Sequence, residues 1–242
     1  MKLRHTLISL PTEGIWLDGL LSHAPDVRAL AIVLQPNAHH PARARESLIA
    51  ATLQEAGFAT LTMNLLTHYE ESRDPDAHFN VPLLANRVLA AADWVLHQPP
   101  LVGLPIGLVS LGTASGAAIR AAAKSPECFG ALACLGGRPD LAGAAPLRTL
   151  VRPVRFIVGS QDEGLEMLRQ AYDLITATRS WKTLDSGDFI HADDAAIRSG
   201  ASLATEWLIA HLPERPPAII EPPTAGVDAP LVSPSATPQH PE

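Results

Sequence analysis

The strongest constraint on this chain is a rhythm. Short apolar runs bounded by glycine, proline or polar breakers alternate with longer stretches that carry apolar residues at helical spacing. Residues 29–34, 59–63 and 106–109 are such runs, too short for helices, and read as strands covered on both faces. Residues 131–135 and 155–158 are strand-like in the same way, and 181–184 is a further short strand. Between and after them, residues 43–56, 83–97, 115–124, 164–177 and 193–211 have helical periodicity, the first stopping at Gly57 in the manner of a C-cap. Parallel strands need crossovers of this kind. Ahead of the pattern, Leu7-Ile8-Ser9-Leu10 and Ile15-Trp16-Leu17-Asp18-Gly19-Leu20 alternate with period two around Pro11-Thr12-Glu13-Gly14, an antiparallel hairpin. The expected fold is α/β: a doubly wound, mostly parallel sheet with an N-terminal β-hairpin, over residues 1–212. On such a sheet, ligands bind outside the carboxyl ends of the strands.

Residues 99–119 contain no charged side chain and are long enough to cross hydrocarbon. They also hold Pro99, Pro100, Gly103, Pro105, Gly107, Gly112 and Gly116, the punctuation of a buried strand, a sharp turn and a helix start, so no membrane span is expected. From Pro213 to Glu242, 9 residues are proline and few are large. This segment cannot bury enough apolar area to offset its chain entropy and is expected to be a disordered tail, with 218–220 and 231–232 as its only sticky points for a protein partner. Lys and Arg total 18 against 25 Asp and Glu, a net charge of −7 without a basic cluster, which argues against a nucleic-acid partner. Cys128 and Cys134 cannot form a disulfide framework for a fold of this size, and the apolar stretch after the opening Met-Lys-Leu-Arg-His is too short for a signal peptide. The cytoplasm is the expected compartment.

Four segments, in order, carry more specific information: Glu55-Ala-Gly-Phe-Ala-Thr-Leu61, Leu104-Pro-Ile-Gly-Leu108, Gly136-Gly-Arg-Pro-Asp-Leu141 and Ile157-Val-Gly-Ser-Gln-Asp162. With them, residues 5–212 resemble the dienelactone-hydrolase-like branch of the α/β-hydrolase superfamily. The resemblance implies hydrolysis of ester, lactone or related acyl bonds. It also implies a nucleophile on a strand-to-helix elbow, an Asp after a later strand and a His near the end.

The elbow pattern is small-x-nucleophile-x-small, because the turn is too sharp for bulky neighbours. Here it reads Ser110-Leu111-Gly112-Thr113-Ala114, which places Gly112 where the nucleophile belongs and Thr113 where an oxyanion-hole N–H belongs. Ser110 and Ser115 are the nearby hydroxyls, the first at a packing position and the second in the first helical turn, where serine caps backbone N–H groups. The loop that opens with His-Gly in the family reads Gln35-Pro36 here, and Pro36 has no N–H to donate. Asp162 stands at the acid position, where it would orient a histidine or cap a helix. In Gly187-Asp-Phe-Ile-His191 the strict histidine position is Ile190, and His191 comes one residue late. Asn64 replaces an acidic residue common in the family. The adjacent pair His39-His40 lacks chelate spacing, so neither a metal nor another cofactor is expected. Trp16, Trp94 and Trp207 fall on apolar faces and are expected in the core; Cys128 and Cys134 are expected to act as small hydrophobes. The residues imply an impaired hydrolase that keeps its cleft for a small acyl or ester-like ligand. The alternative is an active esterase or lactonase using Ser110 or Ser115 with His191 and Asp162.

Overall fold

The computed structural model describes residues 2–37, 40–189 and 191–213, without the side chains of 40–44. His39, Ile190, the His40 side chain and the Pro-rich segment from 214 onward lie outside the described residues. Eight strands form one sheet: β1 (Arg4–Thr12), β2 (Ile15–His23), β3 (Ala29–Gln35), β4 (Phe58–Asn64), β5 (Ile106–Leu111), β6 (Ala131–Leu135), β7 (Val154–Gly159) and β8 (Arg179–Leu184). Their order across the sheet is β1-β2-β4-β3-β5-β6-β7-β8. The pairs β1/β2 and β2/β4 are antiparallel and all others parallel. This is the α/β arrangement expected from the alternation of runs.

The apolar runs are buried throughout because helices cover both faces: every residue of β3, β5, β6 and β7 is buried. One face carries α1 (His40–Glu55) and, from the end of the chain, α7 (Asp194–His211); Ile49, Leu53, Ile197, Ala204 and Leu208 pack there on Val33, Val109 and Leu135. The other face carries α3 (Val81–Leu96), α4 (Ala114–Lys124) and α6 (Leu165–Leu174), whose apolar stripes bury Leu30, Ile32, Leu61, Leu108 and Phe156. Two short helices, α2 (His68–Arg73) and α5 (Ala144–Thr149), were not evident from periodicity because six residues hold less than two turns. No helix among the described residues is long and apolar enough to cross a membrane. The uncharged stretch 99–119 instead supplies β5 and the start of α4.

The connection from β3 moves left to β4, and the connection from β4 returns across β3 to β5. The carboxyl ends of β3 and β5 therefore border the crevice where helices leave on opposite faces. Gln35 and Leu111 end these strands, so Pro36 and Gly112 face each other across it. The hairpin differs in one respect from the sequence reading: Trp16 is not in the core. It is 64% exposed, opposite Pro11 on the outer face of β1 and β2, where no helix packs. Trp207 is buried as expected.

Candidate active site

The elbow forms where β5 stops and α4 begins. Gly112, at its apex, has φ +56°, the left-handed region that costs a side-chain-bearing residue strain and glycine almost none. A Cβ added there would lie 3.3 Å from the Pro36 ring. From the other side, the loop after β6 presses on the same peptide: the Arg138 N–H donates to Gly112 O at 3.0 Å, and a Cβ on Gly137 would come within 2.7 Å of Gly112 N. The apex is held between two backbone segments and presents no nucleophilic atom.

Neither nearby serine lines the cleft. Ser110 and Ser115 are both fully buried. Ser110 Oγ donates to Ser115 Oγ at 3.3 Å and lies 3.6 Å from Cys134 Sγ, and Ser115 Oγ donates to Gly136 O at 3.3 Å. The three side chains brace the underside of the elbow and none lines the cleft. Burial raises the Cys134 thiol to about 11, the hydrogen bonds from Ser110 and Ser115 pulling weakly the other way. This sulfur is packing, not a nucleophile.

Above the elbow lies a cavity of about 470 Å³. Gln35, Pro36, Gly112, Thr113 and Asp162, five of the positions singled out from the sequence, line it. Thr113 is buried at the entry to α4, and its Oγ1 has no hydrogen-bond partner. Asp162 follows β7; its Oδ1 accepts the Gly164 N–H at 2.8 Å, and its Oδ2 faces Gly136 beside the elbow. The acid therefore stands at the cleft while also fixing the turn into α6.

His191 is elsewhere. Its side chain is 82% exposed, and its Nδ1 lies 3.0 Å from Asp188 Oδ1 rather than near Asp162. It borders a separate depression with Asp185 and Asp193. The residues this loop brings to the cleft are Asp188 and Phe189, the latter 2% exposed and seated against Gly136 and Gly200. Arg45 fixes it there by donating to Phe189 O at 3.0 Å. An aromatic ring thus forms the wall beside Asp162, and the imidazole one turn on faces solvent.

The cleft also holds residues that the sequence did not reveal. The excursion between β4 and α3 brings His78 and Phe79 over the cavity, and α6 brings Met167. His78 Nδ1 is 2.8 Å from Pro75 O, and because a carbonyl only accepts, Nδ1 is the donor of this bond. The excursion is tied down by Arg87, 3% exposed, which donates to Leu65 O at 2.6 Å and to both carboxylate oxygens of Glu70. Burial alone would raise the Glu70 carboxyl, but hydrogen bonds from Arg87 and Thr67 outweigh it, and its pKa is lowered. Behind Asn37, which lines the cleft, the Asn64 amide lies 3.1 Å from Asn37 O and 2.8 Å from Glu46 Oε1, so its nitrogen faces both. Among the described residues no three His, Cys, Asp or Glu side chains are grouped to hold a metal ion.

Comparison with solved structures places this geometry. A dienelactone hydrolase from Anabaena variabilis superimposes with a TM-score of 0.81 at 29% identity, over 88% of this chain and 100% of its own. The chain has the α/β-hydrolase fold. Est1E from Butyrivibrio proteoclasticus shares that fold at 14% identity, with a TM-score of 0.66 over 84% of this chain and 99% of its own. Two curated proteins, from two Mycobacterium tuberculosis strains, are 36% identical over 169 residues. That stretch is 69% of this chain but 38% of theirs, and their name, "Putative phosphoribosyl transferase", belongs to those longer proteins as wholes. No protein-family model matches the chain.

Proposed function

We propose that this α/β-hydrolase-fold domain binds a small acyl or ester-like compound in its cleft and does not hydrolyse it. The observation that carries this reading is the elbow apex: Gly112 at φ +56°, closed in by Pro36 and by the loop after β6. Acyl transfer needs a nucleophile, a base in reach of it and N–H groups aimed at the developing oxyanion. The apex has no nucleophile, Phe189 lines the cleft while His191 faces solvent, and Pro36 has removed one donor. Losing one such element leaves residual rate enhancement from the others; losing all three leaves almost none.

Binding survives these losses because it needs shape more than a triad. The cavity is within the range of small-molecule sites, and Pro36, Phe79, Leu111, Met167 and Phe189 give it apolar walls. The relocated-serine alternative would require Ser110 or Ser115 to leave a buried hydrogen-bonded cluster and reach an exposed histidine. The test has two parts. Ethyl benzoate titrated into the protein should perturb the NMR signals of Leu111 and Phe189 and be recovered intact. p-Nitrophenyl acetate turnover should equal that of a Ser110→Ala/Ser115→Ala double variant. Multiple turnovers by the parent that the double variant lacks would overturn the reading in favour of a serine hydrolase.

A further inference from the structure

We infer that two copies of this chain associate through β1, in one register, to make a continuous sheet across a two-fold axis. β1 is an end strand of nine residues, and among the described residues nothing pairs with its outer edge. The other end strand, β8, carries Arg179 and Lys182, the charges that commonly guard an open edge. β1 has no lysine and no acid; Arg4 sits at its first position and His5 beside it.

The hairpin turn decides which backbone groups face outward. Thr12 and Ile15 flank a two-residue loop, Glu13 (φ +45°) and Gly14 (φ +82°), so they exchange both of their hydrogen bonds. Bonded and non-bonded pairs then alternate, which makes Pro11/Trp16, Ser9/Asp18, Leu7/Leu20 and His5/Ser22 the non-bonded pairs. The Thr62 hydroxyl agrees, since it reaches Leu20 O from the β4 side. The N–H and C=O groups of His5, Leu7 and Ser9 therefore point to the open edge, while Pro11 offers only a C=O.

A second β1 running antiparallel must set outward-facing residues opposite each other. With the axis at Leu7, each residue i faces 14 − i of its partner: Leu7 meets the partner's Leu7, and His5 meets the partner's Ser9. All three outward N–H groups are then used, giving about six interstrand bonds. Moving the axis to Ile8 sets Pro11 opposite the partner's His5 and keeps about six bonds, whereas moving it to Ser9 sets Pro11 opposite the partner's Leu7 and leaves about four. The missing N–H of Pro11 thus disfavours the Ser9 axis, and the side chains choose the axis at Leu7.

Side chains agree with that register. On the outer face Leu7 is 84% exposed and Leu20 stands beside it, so the axis joins Leu20, Leu7, the partner's Leu7 and the partner's Leu20 into one row, strands about 4.8 Å apart. The Ser9 hydroxyl holds Asp18 at 3.3 Å, and the partner's His5 falls directly opposite Ser9, bringing an imidazole toward that acid twice per dimer. Arg4 faces the partner's Leu10, which keeps Arg4 and the partner's Arg4 about 20 Å apart, beyond a Debye length of about 8 Å. The seam is one strand wide, smaller than a standard interface of about 800 Å² per partner, so association should depend on concentration.

Sedimentation equilibrium of the whole chain from 1 to 100 μM should show the mass rising from 25.7 kDa toward twice that value. Leu7→Lys, at an exposed position that leaves the far-UV spectrum unchanged, should weaken the dimer at least tenfold. In a Cys128→Ser background, Leu7→Cys should form an intermolecular disulfide on mild oxidation. A bonded antiparallel pair places its Cα atoms about 5.5 Å apart, within disulfide range. Ser9→Cys should not cross-link, because Ser9 and the partner's Ser9 lie about 14 Å apart in this register. A chain that stays monomeric at 100 μM, or a dimer that cross-links through Ser9→Cys and not Leu7→Cys, would overturn the inference. Neither result bears on whether the cleft is catalytic.

Discussion

Installing a hydroxyl at the apex is the sharpest perturbation this elbow offers. Gly112→Ser adds a Cβ at φ +56°, where a side-chain-bearing residue pays about 1–2 kcal/mol. The same Cβ meets the Pro36 ring at 3.3 Å, tight enough that the ring must give way by a few tenths of an ångström, at about 1 kcal/mol more. The sum is about 2–3 kcal/mol, and for a domain of this size each kcal/mol lowers Tm by about 2–4 °C, so a fall of roughly 5–10 °C is expected. Calorimetry on Gly112→Ser and Gly112→Ala together separates the causes. Both carry the strained Cβ, so both should fall by similar amounts, and their small difference reports the hydroxyl alone. Gly112→Ser should also remain without turnover of p-nitrophenyl acetate, since Phe189 rather than His191 stands in the cleft beside Asp162. A Gly112→Ser protein as stable as the parent would refute the strain argument. Steady hydrolysis by that single variant would refute the claim that the base is absent.

Three further outcomes follow from the same geometry. Glu70→Gln should destabilise the fold by about 1–3 kcal/mol at neutral pH by leaving the buried Arg87 guanidinium without its anion. The Glu70 carboxyl is depressed in the folded state, so its contribution is complete above the ordinary value of 4.5 and is lost as pH falls through the folded value. Urea midpoints of parent and variant should therefore converge in acid, and a gap that stays constant down to pH 3 would contradict this. With a thiol reagent at pH 8, Cys134 should stay unmodified until the protein unfolds, while the half-buried Cys128 reacts in the native state; two fast thiols would show that the elbow's underside is open. Phe79 is 48% exposed, so Phe79→Ala should move stability by less than about 0.5 kcal/mol yet weaken ethyl benzoate binding. Unchanged affinity would remove the excursion from the site.

Much of this protein was written in local pattern. Strands buried on both faces and helices buried on one leave different periodicities, so residues 29–34 and 106–109 read as core strands and 83–97 as a helix before any coordinates, and the sheet followed with its opening hairpin. The sharp turn between a strand and a helix at residue 112 was also legible. An apex is defined by its small neighbours, and Gly112 and Pro36 lack their reactive atoms by composition alone, wherever they sit in space. Boundaries drifted where no strong stop signal lies: α6 ends at Leu174 rather than 177, and α1 begins at His40 rather than 43.

What required the tertiary structure was the direction in which side chains face. Trp16 shares the face of β2 that carries Asp18 and Leu20, all of them exposed, and a period of two does not say which of its two faces meets the core. Phe189 and His191 are two residues apart in an irregular loop, where no period says which one turns inward. The close packing of Gly136 and Gly200 around a ring, and the Arg45 bond to Phe189 O, hold Phe189 in the cleft with His191 outside it. His78 and Phe79 reach the cavity because Arg87, eight residues or more along the chain, anchors their excursion to Glu70 and Leu65. Local sequence determines secondary structure through short-range sterics and burial periodicity; a site assembled from loops is decided by contacts between residues far apart in the chain, which leave no period to read.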